Sequence, residues 1–263
     1  MSAPSTSAAT RDEQMIVTAA RALKDGDVCF VGIGLPSAAA NLARLTHAPR
    51  VVLIYESGAI GAKPSVLPLS IGDGELAITA DAVVSIPEIF AYWLQAGRVD
   101  VGFLGAAQID RYANINTTVI GVYEHPTTRL PGAGGAPEIA AHAREVFVML
   151  RQSARTFVPM LDFITSVGHL HGGDARRRLG LAGRGPTRVI TDLGILAPAP
   201  GDSELQLTDL YPGVTRDQVR ASTGWPLRIA ASVEVIEPPT ALELQVLREL
   251  QERTRRAHAG PVG

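Results

Sequence analysis

Short runs of consecutive apolar residues alternate along this chain with segments whose apolar positions recur every three to four residues. Residues 28–31, 51–55 and 146–150 are of the first kind, and so is 99–104 but for Asp100. Runs this short, without polar–apolar alternation, predict strands buried on both faces. In the second kind, Met15, Ile16, Ala19, Ala20 and Leu23 fall on one helical face behind the capping-box spacing of Thr10 and Glu13, and Gly26 ends that helix. A second helix is predicted over 37–45. A third opens at the Ser85/Glu88 capping box, with Pro87 in its first turn, and ends near Gly97; a fourth covers 138–145. Residues 118–122 read as one more strand. Such alternation predicts an α/β fold, an open and mostly parallel sheet with helices on both faces.

The last third has a different character. Residues 188–191, 195–196 and 204–207 read as short strands around turns, a small antiparallel extension. Thr215 and Gln218 start a short helix that ends at Gly224, and a last helix spans about 240–256. No internal repeat and no linker rich in Gly, Ser or Pro divides the chain. Residues 1–263 are therefore expected to form a single domain, with loose tails at 1–10 and 257–263.

Composition removes several classes of function. With 46% hydrophobic and 19% charged residues the chain is ordinary globular material, and its net charge of −2 gives no global field for nucleic acid or an acidic membrane. The polar first fifteen residues lack the apolar core of a secretory signal, and no run approaches the ~18 apolar residues that cross a bilayer. The one cysteine, Cys29, sits inside an apolar run and reads as a buried strand residue. A cytoplasmic protein with neither nucleic-acid nor membrane partners is expected.

In an open α/β sheet, ligands bind beyond the carboxyl ends of the strands. Residues 32–36, 56–64 and 105–110 occupy that position. Glu56, in Tyr55-Glu56-Ser57-Gly58-Ala59-Ile60-Gly61, follows a buried strand and is followed by two glycines that free the backbone for unusual angles. A carboxylate so placed suits nucleophilic or general-base work, or simply caps a helix in solvent. Gly132-Ala133-Gly134-Gly135 offers closely spaced amides to a phosphate or an oxyanion, or serves as a flexible connector. Gly32-Ile33-Gly34 is half of a dinucleotide fingerprint, but its third glycine falls on Ser37 and Pro36 occupies the turn. His169 and His171 have no Cys or acid at ligand spacing, so no metal site is expected. No Gly-x-Ser-x-Gly elbow and no Walker loop is present.

These segments together resemble the β subunits of class I coenzyme A transferases, that of glutaconate CoA-transferase in particular. The likeness runs from about residue 15 to 250. It includes Val31-Gly32-Ile33-Gly34-Leu35-Pro36, Glu56-Ser57-Gly58, Gly105-Ala106-Ala107-Gln108-Ile109-Asp110 and Asn114-Ile115-Asn116. Thr128-Arg129, Gly132-Ala133-Gly134-Gly135, Thr191-Asp192-Leu193-Gly194 and Tyr211-Pro212-Gly213-Val214 complete it. Each motif is common, whereas their order and spacing are specific.

The resemblance implies that Glu56 is the transferring carboxylate, with ping-pong exchange through a glutamyl-CoA thioester. It also implies that amides at Gly134 and Gly135 stabilise the oxyanion, and that Ser57, Gly58, Ile60, Gly61, Gln108 and Asp110 line the CoA or substrate pocket. Coenzyme A is then a substrate and covalent intermediate, with no permanent cofactor. Dicarboxylic or 3-oxo acids are the implied substrates. An α subunit of similar fold completes the site in a heterotetramer or larger assembly. Ala113 departs from the glycine that relatives carry there. Some proteins on this scaffold are decarboxylases with Cys as the nucleophile, or steroid-ring hydrolases without the Glu-Ser/Asn-Gly motif; others are non-catalytic sensors. Glu56 in Glu-Ser-Gly favours transfer over hydrolysis or decarboxylation with Glu56 as base.

Overall fold

A computed structural model describes residues 8–259. The outer parts of the two expected tails, 1–7 and 260–263, lie outside the described residues, while Thr10 caps the first helix and residues 257–258 belong to the last.

The chain opens with helix α1 (Arg11–Ala22), strand β1 (Val28–Phe30), helix α2 (Leu35–Leu45) and strand β2 (Val52–Ile54). Strand β3 (Ala59–Ile60), helix α3 (Gly74–Ile78) and strand β4 (Ala82–Val83) follow. Helix α4 (Ile86–Glu88) runs on as a π-helical segment, Ile89–Leu94. The middle of the chain holds β5 (Val101–Leu104), β6 (Gln108–Ile109), β7 (Ile115–Asn116), β8 (Val119–Val122) and β9 (His125–Arg129). Helix α5 (Ala136–His142), β10 (Glu145–Met149), α6 (Ala175–Arg178), β11 (Pro186–Ile190), β12 (Gly194–Pro198) and β13 (Leu205–Leu210) come next. Helix α7 (Arg216–Ala221), β14 (Arg228–Val235) and α8 (Ala241–His258) complete it.

Ten strands form one sheet in the order β14-β13-β12-β11-β10-β5-β1-β2-β3-β4. Its centre, β11-β10-β5-β1-β2, is parallel throughout, and antiparallel pairs lie toward its margins. Successive strand side chains point to opposite faces, and the core divides accordingly. Cys29, Leu53, Tyr55, Val101, Phe103, Phe147, Met149 and Ile190 pack on one face with α1, α2 and Leu247 of α8. Phe30, Ile54, Leu104, Val146, Val148 and Val189 pack on the other with the π-helical segment, α5 and Val219 of α7. The helices on both faces and the mostly parallel sheet are as expected.

Several details differ from expectation. The antiparallel strands of the last third are continuous with the main sheet, because β11 pairs in parallel with β10 before β12 turns back. The helix expected from Ser85 to Gly97 keeps its capping box but widens after one turn, with Gln95 N donating to Phe90 O and Arg98 N to Trp93 O across five residues. Strand β14 escaped the sequence pattern because its residues are mostly exposed or half-buried, so no apolar run marks it. Ala113, the departure from the family glycine, adopts φ +56°, the left-handed region that a glycine enters freely.

Candidate active site

Strands β2 and β5 flank β1 on opposite sides, which makes the carboxyl end of β1 a topological switch point. A cleft of about 180 Å³ opens there. Val31 and Gly32 reach it from β1, Leu104 and Gly105 from β5, and Glu56 from the end of β2. Gly134 and Gly135 close the opposite side at the start of α5, and Phe30, Phe103, Ile71 and Ile139 give it apolar walls.

The backbone around Glu56 is forced into this position. Tyr55, fully buried, starts a tight turn in which Gly58 N donates to Tyr55 O at 3.0 Å, and Tyr55 N donates to Ala59 O at 3.0 Å. The turn needs φ +110° at Gly58, where a Cβ would fall 2.0 Å from the Val84 carbonyl oxygen. Glu56 thus projects from a turn that cannot relax. Among the described residues its carboxylate has no hydrogen bond or ion pair.

Gly135 packs against both Phe90 and Glu56. A Cβ on it would lie 2.6 Å from Phe90 Cζ and 3.2 Å from Glu56 Cδ, and one on Gly134 would lie 4.0 Å from Glu56 Oε2. Only main chain fits between the π-helical segment and the carboxylate. A carboxylate has the chemistry of a nucleophile or a base, and main-chain amides beside it have the chemistry to bind an oxyanion.

The structure therefore brings Glu56, Gly134 and Gly135 together. The other residues expected in the pocket lie outside the cleft wall. Ser57 and Gly58 shape the turn; Ile60, in β3, pairs with Ile54 and Ala82; Gly61 packs against Asp81. Gln108 is buried and accepts from Asn116 Nδ2 at 3.0 Å. Asp110 accepts from Tyr112 N, Asn114 N and Asn114 Nδ2, and burial raises its pKa above the ordinary carboxylate value. These polar groups hold loops, and their backbone-bonding chemistry resembles that of pocket residues in a sequence. Phe30, Phe103, Ile71, Ile139 and Phe90 were not foreseen. The strand phenylalanines read as core, and only the glycines at 72 and 74 around Ile71 signal a loop near a ligand. His169 is buried with Nε2 on the Pro186 carbonyl, and no group of metal-ligating side chains occurs among the described residues. Cys29 is buried in β1, and burial pushes its thiol pKa far up.

Comparison with known proteins gives this arrangement a family. The coenzyme A transferase family matches residues 12–222. The chain belongs to the coenzyme A transferases. It is 65% identical to the B subunit of 3-oxoadipate CoA-transferase from Pseudomonas knackmussii, over 96% of this chain and 97% of the relative. To the B subunit of glutaconate CoA-transferase from Acidaminococcus fermentans it is 37% identical, over 91% of each chain. The crystal structure of glutaconate CoA-transferase from that organism superposes with a TM-score of 0.88 at 33% identity, covering 94% of this chain and 96% of that one. The decarboxylase AibA/AibB superposes with a TM-score of 0.80 at 26% identity, over 94% and 97%. The resemblance to CoA transferases is borne out, and identity to the 3-oxoadipate enzyme exceeds that to the glutaconate enzyme. No helix among the described residues of this transferase is long and apolar enough to cross a membrane.

Proposed function

We propose that this chain is the catalytic β subunit of a heteromeric CoA transferase, with Glu56 as the acyl-accepting and CoA-accepting carboxylate. The observation that carries the reading is the unpaired Glu56 carboxylate set against Gly134 and Gly135 in the switch-point cleft. A Glu56 oxygen attacks the thioester carbonyl of the donor acyl-CoA, and collapse of the oxyanion expels CoA thiolate and leaves a mixed anhydride. The thiolate then attacks the Glu56 carbonyl carbon and displaces the donor acid, giving a glutamyl-CoA thioester. An acceptor carboxylate reverses both steps and regenerates Glu56. Each step breaks one acyl bond and forms another, so no oxidant or net proton is required. The apolar walls keep water from the anhydride and the thioester.

The names of the 3-oxoadipate and glutaconate relatives, each one subunit of a CoA transferase, support a partner α subunit, and a heterotetramer or larger assembly is part of the proposal. The 3-oxoadipate relative supports a 3-oxo dicarboxylic acid as substrate. A cytoplasmic setting accords with acyl-CoA substrates. The test is intact-mass analysis of the assembled complex incubated with an acyl-CoA panel and trapped with borohydride or hydroxylamine. Modification mapping to Glu56, lost in Glu56→Ala, is the expected result. Free CoA accumulating with no adduct and no acceptor present would overturn transfer in favour of hydrolysis or decarboxylation.

A further inference from the structure

The glycine run at 132–135 must hold its main chain beside Glu56, yet glycines have little intrinsic rigidity. Something outside the run has to fix it. Its front is tied by Gly132 N, which donates to Thr117 O at 2.7 Å. The turn carrying Thr117 is itself fixed by Asn116 Oδ1, which accepts from Thr118 N and Val119 N.

The far end is tied by an unusual group. Arg176 is 93% buried, since only 7% of its surface is exposed, and no carboxylate among the described residues pairs with it. Its guanidinium donates instead to main-chain carbonyls: Nη2 to Ala140 O at 3.0 Å, Nη1 to Gly168 O at 2.7 Å and Val167 O at 3.4 Å, and Nε to Gly183 O at 3.2 Å. One planar fork thus joins α5 to two loops on either side of α6. Burying an uncompensated cation is costly, and burial pulls its pKa down to about 10. An apolar residue would avoid that desolvation only by giving up the simultaneous contacts of the fork, and a lysine, whose ammonium is more strongly hydrated, would give them up without avoiding it.

Ala140 lies within α5, the helix that Gly135 caps. A second feature fixes the depth of the same helix. Gly102 of β5 lets α5 sit flush on the sheet: a Cβ there would fall 2.3 Å from Ile139 Cγ2 and 3.2 Å from Ala143 Cβ. Gly102 sets how deep α5 sits, and Arg176 holds it against the loops. Both act on Glu56 only through the helix.

We propose that Arg176 is a positioning residue for the acyl transfer, pinning α5 through the Ala140 carbonyl so that Gly134 and Gly135 stay registered on Glu56. The proposal rests on the Glu56 reading. A small displacement of a group that stabilises the transition state slows chemistry while leaving substrate binding largely intact.

The experiment compares wild type, Arg176→Lys and Gly102→Ala, each as the assembled complex with its α subunit. Single-turnover formation of the Glu56 adduct from saturating acyl-CoA is measured beside KM, together with amide hydrogen exchange over residues 132–142. The expected result is adduct formation slowed about 10- to 100-fold in both variants with KM little changed, accompanied by faster exchange in α5 and the glycine run. Rates and exchange at wild-type values in assembled Arg176→Lys would overturn the proposal. So would a rate loss matched by loss of assembled complex and normal exchange in the remainder, which marks a purely structural arginine. Absence of an adduct in wild type would instead sink the Glu56 reading, and the exchange arm would still decide whether Arg176 pins the helix.

Discussion

The two faces of the sheet are built differently. On one, α1, α2 and α8 are regular helices of 12, 11 and 18 residues, and alanines at 38, 39, 40 and 43 let α2 pack closely. Capping boxes open α1 and α8, and ion pairs Arg21–Glu243 at 2.7 Å and Arg248–Glu13 at 2.6 Å join them. The Arg248 guanidinium beside Glu13 holds that carboxyl below its ordinary pKa. On the other face the pieces are short: a three-residue α4, a six-residue π-helical segment, a seven-residue α5 and a six-residue α7. Arg176 ties α5 to neighbouring main chain, and Asn114 and Asn116 tie the main chain at Leu170 and Val119. Both faces bury an extensive apolar core, but only the second also carries the cleft, so damage to each should register in a different measurement.

The sharpest way to break this division is to damage each face once. Leu42 of α2 is almost wholly buried among the alanines of the regular face. Leu42→Ala should lower unfolding free energy by about 2–5 kcal/mol in urea titration, while kcat per assembled complex stays at the wild-type value. Gly135→Ala should do the reverse. Its Cβ collides with Phe90 and crowds Glu56, so kcat should fall about 10- to 100-fold with a smaller loss of stability than Leu42→Ala causes. Comparable losses of kcat in both variants would dissolve the distinction.

The same division governs how much could be read from the sequence. The regular face was legible because its signals are local. Thr10/Glu13 forms its capping box, and the apolar stripe from Met15 to Leu23 lies buried where periodicity put it. On the cleft face Ser85/Glu88 also forms its box, but the helix then widens into π geometry, which no 3.6-residue pattern announces. Glu56 was legible because a carboxylate just past a buried strand is chemically conspicuous, and glycines 134 and 135 because a glycine run before a helix is. Phe90, which decides that only glycine fits at 135, was not, since its contact joins residues 45 positions apart. Gln108 and Asp110 show a different situation. Their chemistry suits a pocket, yet the fold spends it on the loops that carry Asn114 and Asn116.

The smallest expected effect tests whether the cleft face depends on point contacts down to a single proton. His169 is buried, its Nε2–H donates to Pro186 O at 2.8 Å, and its own N donates to Tyr112 O at 2.7 Å. Burial, reinforced by the neighbouring Arg176 charge, holds its pKa below the ordinary 6.5. The folded protein therefore keeps His169 neutral where the unfolded chain takes up a proton. Its contribution to stability is complete above pH 6.5, shrinks as the pH falls below that value, and is lost once the folded-state pKa is passed. A single proton limits the slope to about 1.4 kcal/mol per pH unit. Asp110 works in the opposite sense, because burial raises its pKa and stabilises the protonated form; its share is lost as pH rises through that raised value. His169→Gln separates the two, since it keeps an N–H for Pro186 O and leaves Asp110 in place. Between pH 8 and 5 the urea midpoint of the wild type should fall further than that of His169→Gln, with hydrogen exchange at 168–170 rising first. Parallel curves would mean that the loop bearing His169 opens to water before the core does, and that the cleft face is held by Arg176 and Asn114 without it.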